Sequence, residues 1–471
     1  MRKNQHLTGR LVGILRNTKA ERARFSAFAA FIAIVFLLGG GSRSDILSLV
    51  LLRPVALVFA LYALLVADKE QFAIVRTPLL LLGALALLIL IQIIPLPPSI
   101  WTQLPERKVI AGIYDVAGMP RPWSPIALSP SRAWNAFFSL SIPCAALLMF
   151  AIQGRGFRRQ VLLVIWLAAI SSALLGILQL AGSPRGPFYL YRITNNGLPV
   201  GLFANRNHQA LLISIGILLS GYLIYRAQSW RTARVLLSAL AAGMLLLFLL
   251  FLLIAGSRAG LVIGSGMLLP ASYLAYYGFT NSQNGPKKFE IRNKYTRMFL
   301  TLGFVAAFLI FLASIYFSRS LAFDRLMNTG GDFELRSEIF PDIIRLVRDY
   351  FPIGSGFGSF EFVYKRIEGL DLLRPSYLNQ AHNDWLQIVV EGGLGGVLIL
   401  LAFLAWFVRR ACAIFPRRGR ALNLEALACV FVIVAFGAAS VVDYPLRVPS
   451  LMAVFAIACG FLAPRRDQRI V

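Results

Sequence analysis

Acidic residues are scarce in this chain. Only 21 Asp and Glu stand against 47 Lys and Arg in 471 residues, and histidine occurs three times. So few carboxylates, spread so thinly, do not form the oxygen-rich cluster that Mg²⁺ or Ca²⁺ requires. Cysteine is nearly as rare: Cys144, Cys412, Cys429 and Cys459 lie in or beside apolar segments without CxxC or other ligand spacing. That excludes a zinc site and a disulfide framework and leaves them as packing residues. The one glycine-rich run, GSGFGS at 354–359, lacks a P-loop lysine and the strand-loop-helix setting of a nucleotide loop, so it reads as a turn. No internal repeat is visible, and the halves show no matching broken helices, which argues against a transporter built from repeats. The basic start, residues 1–24, has no early apolar core followed by a small-residue cleavage site, so it reads as a cytoplasmic tail rather than a removed signal.

What the chain has is apolar sequence. It is 58% hydrophobic and 14% charged, with a mean hydropathy of +0.70, and runs near the length of a bilayer crossing recur from end to end. Apolar segments fall at 25–40, 46–66, 78–94, 132–152, 161–181, 207–225, 235–255, 259–277, 298–317, 385–407, 422–441 and 448–463. The expectation is an all-α polytopic bundle of about 12 transmembrane helices, with a large helical loop, 318–383, between the ninth and tenth spans. Residues 235–277 are too long for one crossing and are interrupted only by GSRAG at 256–260, so they form a hairpin with Arg258 at its tip.

The net charge of +26 would suggest nucleic acid in a soluble protein, but the cations follow topology instead. With the N-terminus inside, the inside connections carry 28 Lys and Arg and the outside ones 18, eight of them in the single long loop. Both termini, 1–24 and 464–471, are therefore expected in the cytoplasm, and no nucleic-acid partner is expected. The outward face collects the Pro-rich connection 95–131, whose tryptophans suit a chain lying along the headgroups. It also collects the stretch LPVGLFANRNHQA, Arg258, the long loop and DYPLR at 443–447. Within the long loop, apolar residues at 339, 340, 343, 344, 347 and 351 have helical spacing, with the helix starting just before Pro341. A loop of that length with its own helices reads as a lid.

Several residues could carry chemistry. His382, in AHNDW, is either a helix-capping or interfacial histidine beside the N-cap Asn383 or Asp384, or a general base, since a neutral imidazole accepts a proton near neutral pH. Arg206 and Arg258 are either snorkelling arginines or bidentate grips for phosphate oxygens. His208, two residues after Arg206, points away from it on a helix and reads as structural or as a support behind a residue that touches substrate. Glu391 falls in a polar stripe with Asp384 and Gln387; a carboxylate in a span costs roughly 2.5–3.5 kcal/mol, so it needs a partner or a proton. Its role is structural, beside close-packing Gly392, Gly393, Gly395 and Gly396. Asp443 and Arg447, four apart across Pro445, are expected to pair with each other. Glu391 and Arg53 are the charges that a transporter reading would use.

Taken in order, GLFANRNHQALL, GSRAGLV, RSEIFPDIIRLVRDYFPIGSGFGSFE, AHNDWLQIVVEGGLGG and VVDYPLRVPS resemble the O-antigen ligase and polymerase family. The likeness covers about 198–455, and the first half matches as generic membrane helices. Residues 25–197 accordingly read as N-terminal transmembrane helices and 198–463 as the ligase-like region. The resemblance implies an inner-membrane, inverting, metal-independent glycosyltransferase of the GT-C type without cofactor. Its donor would be a polyprenyl-pyrophosphate-linked glycan, its acceptor lipid A-core or a growing glycan, and its site periplasmic. It implies His382 as base, Arg206 and Arg258 as the catalytic arginines, and Asp443 as a further acidic position; Asn205, Asn207 and Asn383, in the same motifs, are candidate substrate-binding residues. The alternative is a polysaccharide or lipid transporter or flippase of the same span number.

Overall fold

The computed structural model describes residues 2–229, 232–280, 332–370, 378–415 and 422–463. The expected span 298–317, the expected cytoplasmic tail 464–471 and parts of the long loop lie outside these residues. Each apolar run that is described became a helix. Helix α1 is Arg2–Leu38, α2 Ser48–Val66 and α3 Lys69–Ile93. The short α4, Pro98–Trp101, and α5, Lys108–Val116, follow; then α6, Pro130–Ser139, and α7, Ser141–Ala151, make one crossing. The bundle continues with α8, Arg155–Ala181, α9, Arg206–Ala227, α10, Arg234–Ala255, and α11, Arg258–Thr280. Among the described residues, eight spans are long and apolar enough to cross a bilayer, so this is an all-α multi-pass membrane protein.

The loop helix α12, Asp332–Tyr350, precedes the short α13, Phe360–Lys365. It begins well before the expected start, because Pro341 sits on the exposed side, where water takes the carbonyl that proline leaves unbonded. Ile339, Ile343, Leu346 and Tyr350 form its buried stripe, whereas Phe340 and Phe351 are exposed. The last three helices are α14, Asp384–Cys412, α15, Leu424–Ala439, and α16, Pro449–Leu462. The two short helices α15 and α16 lie against each other, and α9 packs most extensively on α11.

That α9–α11 contact is set by small residues. A Cβ on Gly260 would collide with Ala210, one on Gly221 with the backbone of Ala271, and one on Gly278 would lie 2.6 Å from Tyr225 Cα. Close backbone approach of this kind is how membrane helices gain packing without a hydrophobic drive between them. It also aligns the first turns of α9 and α11 at one end of the bundle.

Residues 95–131 are a folded cap rather than a chain laid on a surface. Pro95–Leu96 pairs antiparallel with Ser124–Pro125, and Trp101 is buried, donating to Pro122 O at 2.8 Å; Trp123 is exposed. Buried Arg107 donates to the carbonyls of Pro125 and Ile126. Arg366 reaches Glu106 at 2.7 Å, which ties this cap to the loop carrying α12 and α13.

The helix α14 is broken. Gly393 has φ 55° and ψ −144°, a conformation that glycine adopts without a Cβ penalty. The break frees carbonyls inside the protein, and GSGFGS answers them. Ser355 N–H donates to Val390 O at 2.9 Å, Gly356 N–H to Glu391 O at 3.0 Å, and Leu394 N–H to Pro352 O at 2.7 Å. Gln92 of α3 adds a donor to Glu391 O at 2.9 Å. The glycine run is thus a turn, as expected, and it serves as the missing strip of hydrogen bonding for the broken helix.

Candidate functional site

Asn205 caps α9, its side chain accepting from Asn207 N–H at 2.8 Å, which makes Arg206 the first helical residue. Gly256, with φ 63°, ends α10 in the left-handed conformation that glycine favours, and Ser257 then turns the chain so that Arg258 opens α11. Ser257 Oγ donates to Asn207 Oδ1 at 2.8 Å. The two motifs, ANRNH and GSRAG, are therefore bonded to each other, with Gly260 against Ala210 just below. Arg206 is half-buried and Arg258 exposed, on the first turns of adjacent helices.

Asn383 is the N-cap of α14. Its Oδ1 accepts from Leu386 N–H at 3.0 Å, and its amide donates to Val441 O at 3.0 Å. The side chains of Asn205 and Asn383 are thus engaged in capping, and that of Asn207 in holding Ser257. The residue before the cap, His382, has φ 50°, in the left-handed region that a non-glycine residue adopts at a cost of about 1–3 kcal/mol. This conformation turns its ring toward the loop that ends α15.

There it meets Asp443, which is buried. His382 Nδ1 lies 3.5 Å from Asp443 Oδ1, and His208 Nε2 lies 3.7 Å from the same oxygen. Both imidazoles also pack edge-on against Tyr444, with ring centroids 4.8 Å away for His382 and 5.2 Å for His208. His208 is 2% exposed and the His382 side chain 19%, so only the second is open to a reacting group. A small hollow lined by Asn207, His208, Gly260, Asp443 and Pro445 continues from this cluster toward the starts of α9 and α11.

Sequence reasoning missed Tyr444 and named no partner for His208. His208 does point away from Arg206, as helical spacing requires, but what it meets there is Asp443. The adjacency of both to motif residues, in NRNH and DYPLR, was the available signal.

The expected Asp443–Arg447 pair is a correction. Pro445–Arg447 is a 3-10 turn rather than α-helix, so the four-residue spacing does not bring the two side chains together. Arg447 instead donates through Nη2 to Glu391 at 2.9 Å and lies 3.4 Å from Asp384. Burial pulls the Arg447 guanidinium toward lower pKa, and the carboxylates of Glu391 and Asp384 more than offset it, leaving it raised. Fully buried Glu391 also accepts from Gln387 Nε2 and Phe360 N–H, both at 3.2 Å. Its partner is therefore found, and Asp443 is left to the histidines. Among the described residues, no three His, Cys, Asp or Glu side chains gather as a metal ion would require.

Residues 243–401 match the family model described as O-antigen ligase, so the resemblance carried by the motifs is shown over that stretch, which includes Arg258 and His382. Arg206, His208 and Asp443 lie outside it and join the site through the contacts described above. No curated protein matches the chain.

Proposed function

We propose that the protein transfers a glycan from a polyprenyl-pyrophosphate carrier to a hydroxyl of an acceptor, at the periplasmic end of the bundle, in the manner of an O-antigen ligase. The observation that carries this reading is His382 facing buried Asp443 beside the bonded first turns that bear Arg206 and Arg258. Asp443 orients the imidazole by drawing its Nδ1–H, which leaves the Nε2 lone pair toward substrate. The acceptor hydroxyl gives its proton to Nε2 as its oxygen bonds to the anomeric carbon. The bond from that carbon to the pyrophosphate oxygen breaks, and its electron pair leaves with the pyrophosphate. Arg206 and Arg258 hold the charge that grows there, a role for fixed cations that do not reorganise during the reaction. A single displacement inverts the anomeric centre. Lipid A-core as acceptor makes the protein a ligase; a growing repeat-unit chain makes it a polymerase.

The transporter reading loses its sequence support. Glu391 is neutralised by Arg447, and Arg53 is hydrogen-bonded to Asn135. The broken helix found among the described residues, α14, has its freed backbone groups covered by residues 352–356 and Gln92 rather than open to a cavity. The test is transfer by purified protein given a polyprenyl-pyrophosphate glycan and candidate acceptors. Transfer that disappears in His382→Ala is the expected result. Normal transfer by that variant sinks the base assignment, and flux across vesicles with no transfer by wild type sinks the transferase.

A further inference from the structure

Asp384 follows His382 and Asn383 in the chain, and its Oδ1 lies 3.4 Å from Arg447 Nε. The other oxygen has different work. Asp384 Oδ2 accepts from Ser440 Oγ at 3.3 Å and from Leu446 N–H at 3.2 Å. Ser440 directly follows α15, and Leu446 is the second residue of the 3-10 turn that Pro445 opens. Asp443 lies midway, three residues from each. One carboxylate oxygen therefore clasps both ends of the loop whose centre carries the partner of His382.

The clasp has a backbone side as well, because Asp384 N–H donates to Ser440 O at 3.0 Å while Ser440 Oγ donates back to the side chain. The neighbouring residues each add a bond. Asn383 donates to Val441 O at 3.0 Å, and Trp385 Nε1 donates to Gly437 O at 3.0 Å, so both hold the end of α15. Of these bonds, those of Asp384 alone reach past Asp443.

A donor in the first turn of a helix has no carbonyl partner within it, and a side chain at the N-cap usually answers. Tyr444, at the N-cap of the 3-10 turn, makes no such bond, and the acceptor for Leu446 N–H comes from α14 instead. An acidic residue opening α14 also suits the helix dipole, but that attraction does not fix where Oδ2 points. Nor does Arg447, which Glu391 already holds at 2.9 Å.

We propose that Asp384 is a positioning residue, which through Ser440 and Leu446 seats the 440–446 loop on the start of α14 so that Asp443 faces His382 Nδ1. Its effect on turnover rests on the transferase reading; its effect on the imidazole does not. Asp384 acts on the base through Asp443 rather than on substrate.

The test uses the full chain in detergent with isotope-labelled histidines. There are three, His6, His208 and His382, so His382→Ala assigns the signal of interest. Side-chain nitrogen shifts then give the ratio of Nδ1–H to Nε2–H tautomers at His382, which Asp443→Asn should lower. Asp384→Asn should lower it about threefold or more, and Ser440→Ala, which removes one arm and no charge, by less. Ser440→Ala also serves if Asp384→Asn does not fold. In transfer, Asp384→Asn should cut kcat by about ten- to a hundredfold with donor KM little changed, as a misplaced catalytic pair would. Added to Asp443→Asn, it should cost less than about a further twofold in either readout, since what it positions is already lost. Full additivity of the two substitutions, or an unchanged tautomer ratio in Asp384→Asn, overturns the proposal. So does a loss confined to KM, which would set Asp384 against substrate. A ratio that responds as stated in a wild-type protein that transfers nothing would uphold the clasp while sinking the transferase.

Discussion

Asp443 offers one oxygen to three groups: the Tyr444 N–H at 2.9 Å, His382 Nδ1 and His208 Nε2. If it orients the base, Asp443→Asn should lower kcat by less than His382→Ala, whose loss should reach about 10²–10⁴-fold, with the donor KM little changed in both. Steady-state transfer kinetics on the two variants decide this. Arg447 belongs to stability rather than chemistry. Arg447→Met leaves Glu391 buried beside an uncompensated Asp384 and should destabilise the protein by about 3–5 kcal/mol, read from thermal unfolding in detergent, with Glu391→Gln restoring part of it. His382, Arg206, Arg258 and Asp443 were all visible in the sequence because each is a charged or titratable residue interrupting apolar surroundings. The pairing among them was not visible. His208 and Tyr444 meet His382 across elements far apart in the chain, and the Arg447 partner was misjudged because helical spacing was applied across a proline.

At the scale of elements, the motifs are explained as much by glycine as by charge. Gly260 lets α11 lie against Ala210 of α9, so Gly260→Leu should force the first turns apart and destabilise by about 1–3 kcal/mol while weakening transfer, a combination that thermal unfolding and activity measured together will show. Gly393→Ala meets the Pro352 carbonyl and a left-handed φ at once, and should destabilise at least as much. Helices were legible wherever an apolar run was long enough to need a bilayer. The break in α14 was not, since GGLGG reads equally as a close-packing face, and what distinguishes the two is a loop, residues 352–356, that binds to 390–394 from well upstream in the chain. The stripe of α12 was legible only in part, because periodicity does not say which flank of a helix its partners will cover.

For the whole molecule, one end of the bundle gathers the starts of α9, α11, α14 and α16, the turn at 443–447 and the loop carrying α12 and α13. We propose, from the charge count, that this end faces outward. If arginines rather than a metal hold the leaving group, as proposed, transfer by purified protein should persist in excess chelator, and strict dependence on a divalent ion would overturn that assignment. The break at Gly393 has a mechanical consequence. The stretch Asp384–Gly392 is fastened to Gln92, Ser355, Gly356 and Phe360 rather than continuing the hydrogen-bond ladder of the longer stretch that follows. If a thicker or thinner bilayer tilts the long stretch, the break at Gly393 is the place to take up that rotation, which would leave His382 against Asp443. Turnover in nanodiscs should therefore vary little with acyl chain length, as though the catalytic end floated free of the membrane's thickness.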